Sequence, residues 1–242
     1  MFKEKKLIIF DMDGTLIDSV GVWNQVDREI IVSLGGNAGS LSEIQQQRDI
    51  SLRKYRGHDN PYCEYCMDLK KIYNLQETAD EIIKIRYETA QQYLKNVIDY
   101  KPGAERFIAA LKKKGYELAI ASTTKRSNME VYRKENLNIR AKADIDTYFS
   151  RIYTREDAGA IKPDPEIYFK VIENFHVTPE ECLVFEDSLI GVEASKAAGI
   201  ETAVIYDRYS DDDREYINKL ADYNFNSWDE VLNLLQTECK TE

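Results

Sequence analysis

Cysteine, histidine and proline are scarce in this 242-residue sequence, which contains four, two and five of them. Four cysteines without a regular spacing do not indicate a disulfide framework, so a reducing cytoplasm is the expected compartment. No apolar run approaches the roughly 20 residues that a membrane-spanning helix needs. The opening MFKEKKLIIFDMDG has too short an apolar part, and becomes acidic too soon, for a signal peptide. We therefore expect neither a membrane protein nor a secreted one.

Basic residues are also in deficit, since 33 Lys and Arg face 43 Asp and Glu for a net charge of −10. This balance argues against a nucleic-acid partner or an anionic membrane surface, because such binders usually carry a basic face. A small anionic substrate remains compatible, since a local cation can outweigh a distant global charge. With 43% hydrophobic and 31% charged residues, the chain has the composition of a globular protein. Its length is near the size at which one domain divides into two.

The segment from Val20 to about Val97 has the periodicity of helices. Apolar residues form one stripe along VWNQVDREIIVSL and another along ADEIIKIRYETAQQYL, as in amphipathic helices. Two shorter helices are predicted between them, in LSEIQQQRDISLRKY and PYCEYCMDLKKIY, joined by the turn RGHDNP. This segment is predicted to be a separate all-helical domain, with linkers near residues 18–21 and 98–102.

After Lys101 the pattern changes to strands and helices in alternation. Apolar strands are predicted in YELAIAS, FSRIYT, ECLVFEDS and ETAVIYD, in addition to LIIF near the start. The helices between them include AERFIAALKKKG, PEIYFKVIENF and LIGVEASKAAG, and FNSWDEVLNLL closes the chain. Strands alternating with helices predict an α/β fold, a doubly wound parallel sheet of Rossmann type covered on both faces. The predicted domains are residues 1–17 with 99–242 and, inserted after the first strand, residues 18–98.

Polar residues follow several of these strands at the point where each ends. Asp11 and Asp13 follow LIIF, residues 122–124 (Ser122, Thr123 and Thr124) follow YELAIA, and Glu186 with Asp187 follow CLVF. Lys162 lies in the loop after FSRIYT. Ligands of doubly wound sheets bind outside the carboxyl ends of the strands, so these side chains are expected to converge. A few carboxylates that leave coordination positions free for water or phosphate oxygens can bind Mg²⁺. A lysine together with hydroxyl groups can bind a phosphate.

These motifs resemble the haloacid dehalogenase superfamily over essentially the whole chain. DMDGT is similar to the first loop of that family, Ser122 to the second, Lys162 in GAIKPDPEIY to the third, and FEDSLIGVEASKAAG to the acidic fourth. A single DxD is a weak signal, but four loops in the family's order are a specific one. Asp13 also matters for the chemistry that the resemblance implies. The dehalogenase and phosphonate-cleaving branches of this family have a nucleophile at the position of Asp11 but lack an aspartate two residues after it. The resemblance therefore implies phosphate ester chemistry.

The resemblance also implies a role for each site residue. Asp11 would be the nucleophile that forms an aspartyl-phosphate, and Asp13 the general acid and then the base. The transferring oxygens would be held by Ser122, the backbone N–H of Thr123, and Lys162. Gly14 would give the first loop its conformational freedom, and Thr15 would tie that loop back by a hydrogen bond.

A Mg²⁺ ion is the cofactor that the resemblance implies. Its ligands would be an oxygen of Asp11, the backbone carbonyl of Asp13, and Asp187, with Glu186 as a ligand or as the partner of one. The ion would let an anionic nucleophile approach an anionic phosphate.

The helical insert resembles the small cap of phosphatases that act on phosphorylated metabolites. The leading prediction is a phosphatase of small phosphorylated metabolites, such as sugar phosphates, acting as a monomer. A phosphosugar mutase of the beta-phosphoglucomutase type is the alternative, although such mutases commonly carry a histidine near the position of Trp23 and this chain does not. A catalytically silent binding module on the same fold is the third possibility.

Substrate selection is expected to depend on residues of the insert and of the second loop. Each basic candidate has the simpler interpretation of a solvated helix face, and Trp23 that of packing within the insert. The candidates are Trp23, Arg48, Arg53, Lys54, Arg56 and Lys125.

Overall fold

The computed structural model describes residues 1–55, 58 and 61–238. Within them the chain forms two compact units, residues 21–97 and the remainder. The larger unit, Met1–Val20 with Ile98–Glu242, is called the core unit, and Gly21–Val97 the helical unit. No helix of the described chain is long and apolar enough to cross a membrane.

The core unit contains a six-stranded sheet in which every neighbouring pair is parallel. The strands are β1 Leu7–Phe10, β2 Glu117–Ala121, β3 Arg151–Tyr153, β4 Cys182–Glu186, β5 Glu201–Ile205 and β6 Tyr223–Phe225. Their order is β3-β2-β1-β4-β5-β6, so the chain is wound outward from β1 in both directions. This arrangement confirms the predicted doubly wound α/β fold, and it places the crevice between the two halves at the carboxyl end of β1.

Helices cover both faces of this sheet. In chain order they are α5 Ala104–Lys113, α6 Arg126–Lys134, α7 Leu137–Ala143, α8 Ile145–Tyr148, α9 Glu166–Phe175, α10 Leu189–Ala197, α11 Arg214–Leu220 and α12 Trp228–Glu238. On one face Phe10 and Phe185 contact Phe107 of α5 and Trp228 of α12, with ring centroids 5.1–6.2 Å apart. On the other face Ile9 and Val184 pack in a core with residues of α9 and α10. Side chains alternate between the faces of a strand, so β1 and β4 are apolar on both.

In the described part of the helical unit, four helices each pack against their neighbours. They are α1 Val22–Ser33, α2 Leu41–Lys54, α3 Pro61–Tyr73 and α4 Ala79–Asn96, close to the predicted segments. Inside this unit Asp27 is fully buried and pairs with Arg86 at 2.6 Å and Arg48 at 3.3 Å. Tyr65 also donates to Asp27, at 2.9 Å. Burying a carboxylate requires such partners, which explains why two basic side chains lie inside a small bundle.

Two short helices and one strand escaped the sequence prediction. The helices α7 and α8 are too short to show a helical apolar period, and each begins at a side-chain cap, Asn136 for α7 and Asp144 for α8. The edge strand β6 has three residues and none is fully buried. Gly115 follows the end of α5 and Gly199 the end of α10, with φ of +88° and +77°. Glycine adopts this left-handed conformation without strain, which suits it to the position after a helix.

Candidate active site

The first loop, DMDGT, begins where β1 ends. The Asp11 N–H still donates to the Phe185 carbonyl at 3.0 Å, which directs the Asp11 side chain out of the carboxyl end of the sheet. Gly14 has a φ of +89°, and a Cβ on it would lie 2.4 Å from Asp187 Oδ2. The loop therefore needs glycine at this position both for its backbone conformation and for the approach of the fourth loop.

Lys162 is buried with its ammonium group between two carboxylates. Its Nζ donates to Asp11 Oδ1 at 2.8 Å, to Glu186 Oε1 at 2.6 Å and to the Ala121 carbonyl at 2.8 Å. These three contacts use its three donors. The lysine thus joins the ends of β1, β2 and β4, although it comes from a loop.

Three carboxylates meet at the same point. Oxygen atoms of Asp11, Glu186 and Asp187 all lie within 4.8 Å of one another, and all three residues are buried. Burial raises the pKa of Asp11 to about 7 even though Lys162 opposes the shift. Burial and the charges of Asp11 and Glu186 also raise the pKa of Asp187 well above its usual range. One ammonium group leaves this cluster with excess negative charge, so the donor set fits a divalent cation with oxygen ligands.

Each of the two acids from the fourth loop is oriented by further contacts. Tyr168 of α9 donates to Glu186 Oε1 at 2.7 Å, and Thr15 donates to Asp187 Oδ1 at 2.8 Å. A Cβ on Gly191 would lie 2.0 Å from the Glu186 carboxylate, so the first turn of α10 can approach this acid only with glycine there. The carboxylate positions therefore depend on α9, α10 and the first loop together.

The hydrogen-bond partners of Asp13 differ from those of the three clustered carboxylates. Its Oδ1 accepts from Ser19 at 2.5 Å and from Tyr132 at 3.0 Å, and its Oδ2 accepts from Thr124. The two aspartates of DMDGT are thus in different environments. Asp11 is buried beside a lysine and two acids, whereas Asp13 is half-buried among hydroxyl groups.

The second loop follows β2. Ser122 is buried, and its N–H donates to the Tyr153 carbonyl at 3.0 Å. Its hydroxyl is hydrogen-bonded to Thr124 Oγ1 at 2.9 Å. Thr123 is half-buried, and Lys125 is exposed at the start of α6.

The candidates in the helical unit have varied surroundings. The half-buried Trp23 lies with its ring 4.7 Å from the Arg86 guanidinium, and Arg48 is buried against Asp27. Lys54 is exposed and donates to the Tyr55 hydroxyl at 2.7 Å. Arg56 and the Arg53 side chain lie outside the described residues. A role of any of these residues toward substrate stays a prediction.

Thr124 lies at the sheet edge where it was expected, whereas four residues at or next to the site were not predicted as site residues. They are Ser19, Tyr132, Tyr168 and Gly191. Tyr132 and Tyr168 lie on apolar helix faces, where an aromatic residue usually belongs to the core. Only the hydrogen bonds of their hydroxyl groups identify these two tyrosines as part of the site. Gly191 interrupts a helix that alanine would favour, and this is the one local signal that was open to sequence reasoning.

Comparison with known proteins gives consistent results. A phosphorylated carbohydrates phosphatase of Thermotoga maritima is 29% identical over 194 residues, which cover 80% of this chain and 82% of that protein. A glyceraldehyde 3-phosphate phosphatase of Pyrococcus furiosus is 27% identical over 240 residues, covering 96% and 94%. Among solved structures, a candidate beta-phosphoglucomutase of Thermotoga maritima superposes with a TM-score of 0.78 at 26% identity, covering 96% of this chain and 99% of that one.

The sequence pattern of haloacid dehalogenase-like hydrolases matches residues 5–199. This match spans all four loops whose side chains meet at the carboxyl end of β1. It confirms the family that the motifs resemble, and with the phosphatase relatives it confirms the predicted enzyme class, a phosphoric monoester hydrolase. The chain belongs to the haloacid dehalogenase-like hydrolase family.

Proposed function

We propose that this protein is a Mg²⁺-dependent phosphatase that acts on small phosphorylated carbohydrates through an aspartyl-phosphate on Asp11. The observation that carries the proposal is that the two aspartates of DMDGT have different surroundings. Asp11 lies within 4.8 Å of two further acids and is paired with Lys162, while Asp13 is held by hydroxyl groups. One carboxylate is thereby arranged to attack phosphorus and the other to transfer a proton.

In the first step the Asp11 carboxylate attacks phosphorus, and a new bond forms between its oxygen and phosphorus. The bond from phosphorus to the ester oxygen breaks, and the Asp13 carboxyl gives its proton to the departing alcohol. Lys162 and Ser122 offset the negative charge on the transferring oxygens. A buried, pre-oriented ammonium group serves this purpose well because it needs no reorganisation during the reaction.

In the second step a water molecule attacks the phosphorus atom. The Asp13 carboxylate accepts a proton from that water, the bond from phosphorus to Asp11 breaks, and inorganic phosphate is released. Asp13 ends the cycle protonated and Asp11 ends it ionised, as both began. Two displacements at one phosphorus atom replace one difficult hydrolysis.

Asp11, Asp187 and the backbone carbonyl of Asp13 would hold the Mg²⁺ ion, with Glu186 as a neighbouring acid already engaged by Lys162 and Tyr168. When bound, the ion supplies positive charge that reduces repulsion between carboxylate and phosphate and stabilises the transition state. The acids are buried and repel one another, and both effects raise the free energy of the ionised cluster when no cation is bound. A bound cation would lower that free energy, which supports this assignment.

Phosphorylated carbohydrates are the proposed substrate class because two of the relatives with matching length carry such substrates in their names. The Thermotoga protein is a phosphorylated carbohydrates phosphatase and the Pyrococcus protein a glyceraldehyde 3-phosphate phosphatase. A cytoplasmic location and a monomeric state stay predictions.

Phosphosugar mutase activity is the second candidate, favoured by the likeness to the candidate beta-phosphoglucomutase. Against it, helix α1 carries no histidine, the residue that such mutases were expected to have near Trp23. A mutase would convert a hexose 1-phosphate to the 6-phosphate without releasing phosphate. A phosphatase would release phosphate from the 1-phosphate and from the 6-phosphate.

The test is a panel of sugar phosphates, nucleotides and phosphoglycolate with phosphate release as the readout, run with Mg²⁺ and with EDTA. We expect release from sugar phosphates that requires Mg²⁺ and is abolished in Asp11→Asn, which should remain folded. Full turnover by that variant would refute the nucleophile, and substantial activity in EDTA would refute the metal. Silence of the wild type across the panel would favour the binding module.

A further inference from the structure

The carboxylate of Asp13 is held by hydroxyl groups from three separate parts of the core unit. Ser19 lies shortly after the first loop, Thr124 is in the second loop, and Tyr132 is on α6. Ser19 and Tyr132 donate to Oδ1, and Thr124 donates to Oδ2. Both oxygens of the carboxylate are therefore oriented by the surrounding structure.

Tyr132 is a rigid support for this carboxylate. The residue is 2% exposed, so its ring is confined by packing, and its hydroxyl reaches Asp13 Oδ1 at 3.0 Å. A tyrosine hydroxyl carries its proton at neutral pH, so it can donate this hydrogen bond.

Thr124 connects Asp13 with the residue expected to hold the phosphate. Its hydroxyl donates to Asp13 Oδ2 and is hydrogen-bonded to Ser122 Oγ at 2.9 Å. The Thr124 N–H also donates to Ser122 Oγ, at 3.2 Å. One side chain thus sets the distance between the general acid and the phosphate-binding hydroxyl.

We propose that Tyr132 and Thr124 are positioning residues that hold the Asp13 carboxyl group where it can protonate the leaving oxygen. The inference rests on the proposed phosphatase function, in which Asp13 is the general acid. Neither residue needs to touch the substrate, since each acts through Asp13. Small displacements of a proton donor reduce the rate steeply because proton transfer requires hydrogen-bond distance.

The leaving group of the substrate gives a readout that separates positioning from mere structural support. A hexose 6-phosphate must release a poorly stabilised alkoxide unless its oxygen is protonated. The anion of p-nitrophenol is stable, so p-nitrophenyl phosphate depends little on the general acid. The ratio of kcat/KM for the two esters therefore reports the acid function alone, and a loss of folded protein cancels from it.

The experiment compares Tyr132→Phe and Thr124→Val with two matched controls. Thr124→Ser keeps the hydroxyl, and Tyr100→Phe removes the hydroxyl of another buried tyrosine, which donates to the Ala143 carbonyl at 2.7 Å. We expect Tyr132→Phe and Thr124→Val to lower kcat/KM for the hexose 6-phosphate about tenfold more than for p-nitrophenyl phosphate, a part of the 10²–10⁴-fold contribution of a general acid. Thr124→Ser and Tyr100→Phe should leave the ratio within about twofold of the wild type.

Asp13→Asn, measured on the same two esters, separates a failure of the general-acid assignment from a failure of the positioning inference. If Asp13→Asn leaves the ratio unchanged, the general acid assignment fails and the proposed mechanism fails with it. If Asp13→Asn changes the ratio but Tyr132→Phe and Thr124→Val do not, the positioning inference alone is overturned. Should thermal melting show that Tyr132→Phe is unfolded, the comparison of Thr124→Val with Thr124→Ser decides the question.

Discussion

The indole N–H of Trp228 donates to the backbone carbonyl of Thr15 at 3.2 Å. Thr15 in turn donates through its hydroxyl to Asp187 at 2.8 Å. The last helix of the described chain is thereby connected to the first loop, DMDGT, and through it to one of the proposed metal ligands. Trp228 is 1% exposed, so this connection runs through the apolar core and not over the surface.

Trp228→Phe removes the indole donor while retaining an aromatic ring. We expect a loss of about 2 kcal/mol in the free energy of unfolding, from one buried hydrogen bond and a small cavity. We also expect the Mg²⁺ concentration for half-maximal activity to rise several-fold, because the Thr15 carbonyl loses its partner. Phe107→Leu is the control, since it reduces the same aromatic cluster without touching Thr15. An equal rise in both variants would mean that only packing matters.

Replacing Lys162 by methionine should abolish activity and destabilise the protein in a pH-dependent way. The buried carboxylates of Asp11 and Glu186 would lose their counter-charge, at a cost of about 3–5 kcal/mol where Asp11 is ionised. The cost should be smaller at pH 5 than at pH 8, because Asp11, whose pKa is about 7, is protonated at the lower pH. Urea denaturation at pH 5 and pH 8 measures both values. Lys219→Met, which breaks an exposed ion pair with Glu215, should change stability by about 0.5 kcal/mol or less at either pH.

The stability of the metal-free protein should depend on pH through Asp11. Its pKa in the folded protein is raised from 3.8 to about 7, so between these values the folded state binds more protons than the unfolded state. The contribution of Asp11 to stability is therefore fully present below pH 4 and lost as the pH rises through about 7.

Mg²⁺ should reverse that loss, since it binds the ionised form of the cluster. We expect saturating Mg²⁺ to raise the melting temperature more at pH 8 than at pH 5.5, as measured by calorimetry. Asp187→Asn should remove most of this increment. An increment independent of pH would contradict the placement of the metal at these buried acids.

Gly191→Ala tests the close approach of α10 to Glu186. Within a helix this change would ordinarily stabilise by up to about 1 kcal/mol. Here the new Cβ would lie 2.0 Å from the Glu186 carboxylate, so we expect instead a loss of about 1–3 kcal/mol, as in other overpacked sites, together with lower kcat. Gly159→Ala meets only the end of the Glu166 side chain, at 3.1 Å, and should be tolerated. Stabilisation by Gly191→Ala would show that α10 can shift.

The sequence predicted the strands and most helices because their periodicity is strong. LIIF and CLVF are apolar without interruption, as strands covered on both faces must be, and the glycines at 115 and 199 mark where two helices end. The short elements α7, α8 and β6 were missed because tertiary contacts, and not local pattern, stabilise them. Asp11, Ser122, Lys162, Glu186 and Asp187 could be nominated because each lies at a strand end or in the loop that follows one.

The sequence by itself determined the family, the sheet and the set of polar residues at its carboxyl edge, since these depend on local patterns and on chain order. Only the tertiary structure decided which partner each of them has. That Lys162 joins Asp11 to Glu186, that Thr124 and Tyr132 hold Asp13, and that Trp228 reaches Thr15 are contacts between residues far apart in the chain. No local pattern encodes such pairs, because they follow from the order of the strands and from how the helices pack on them.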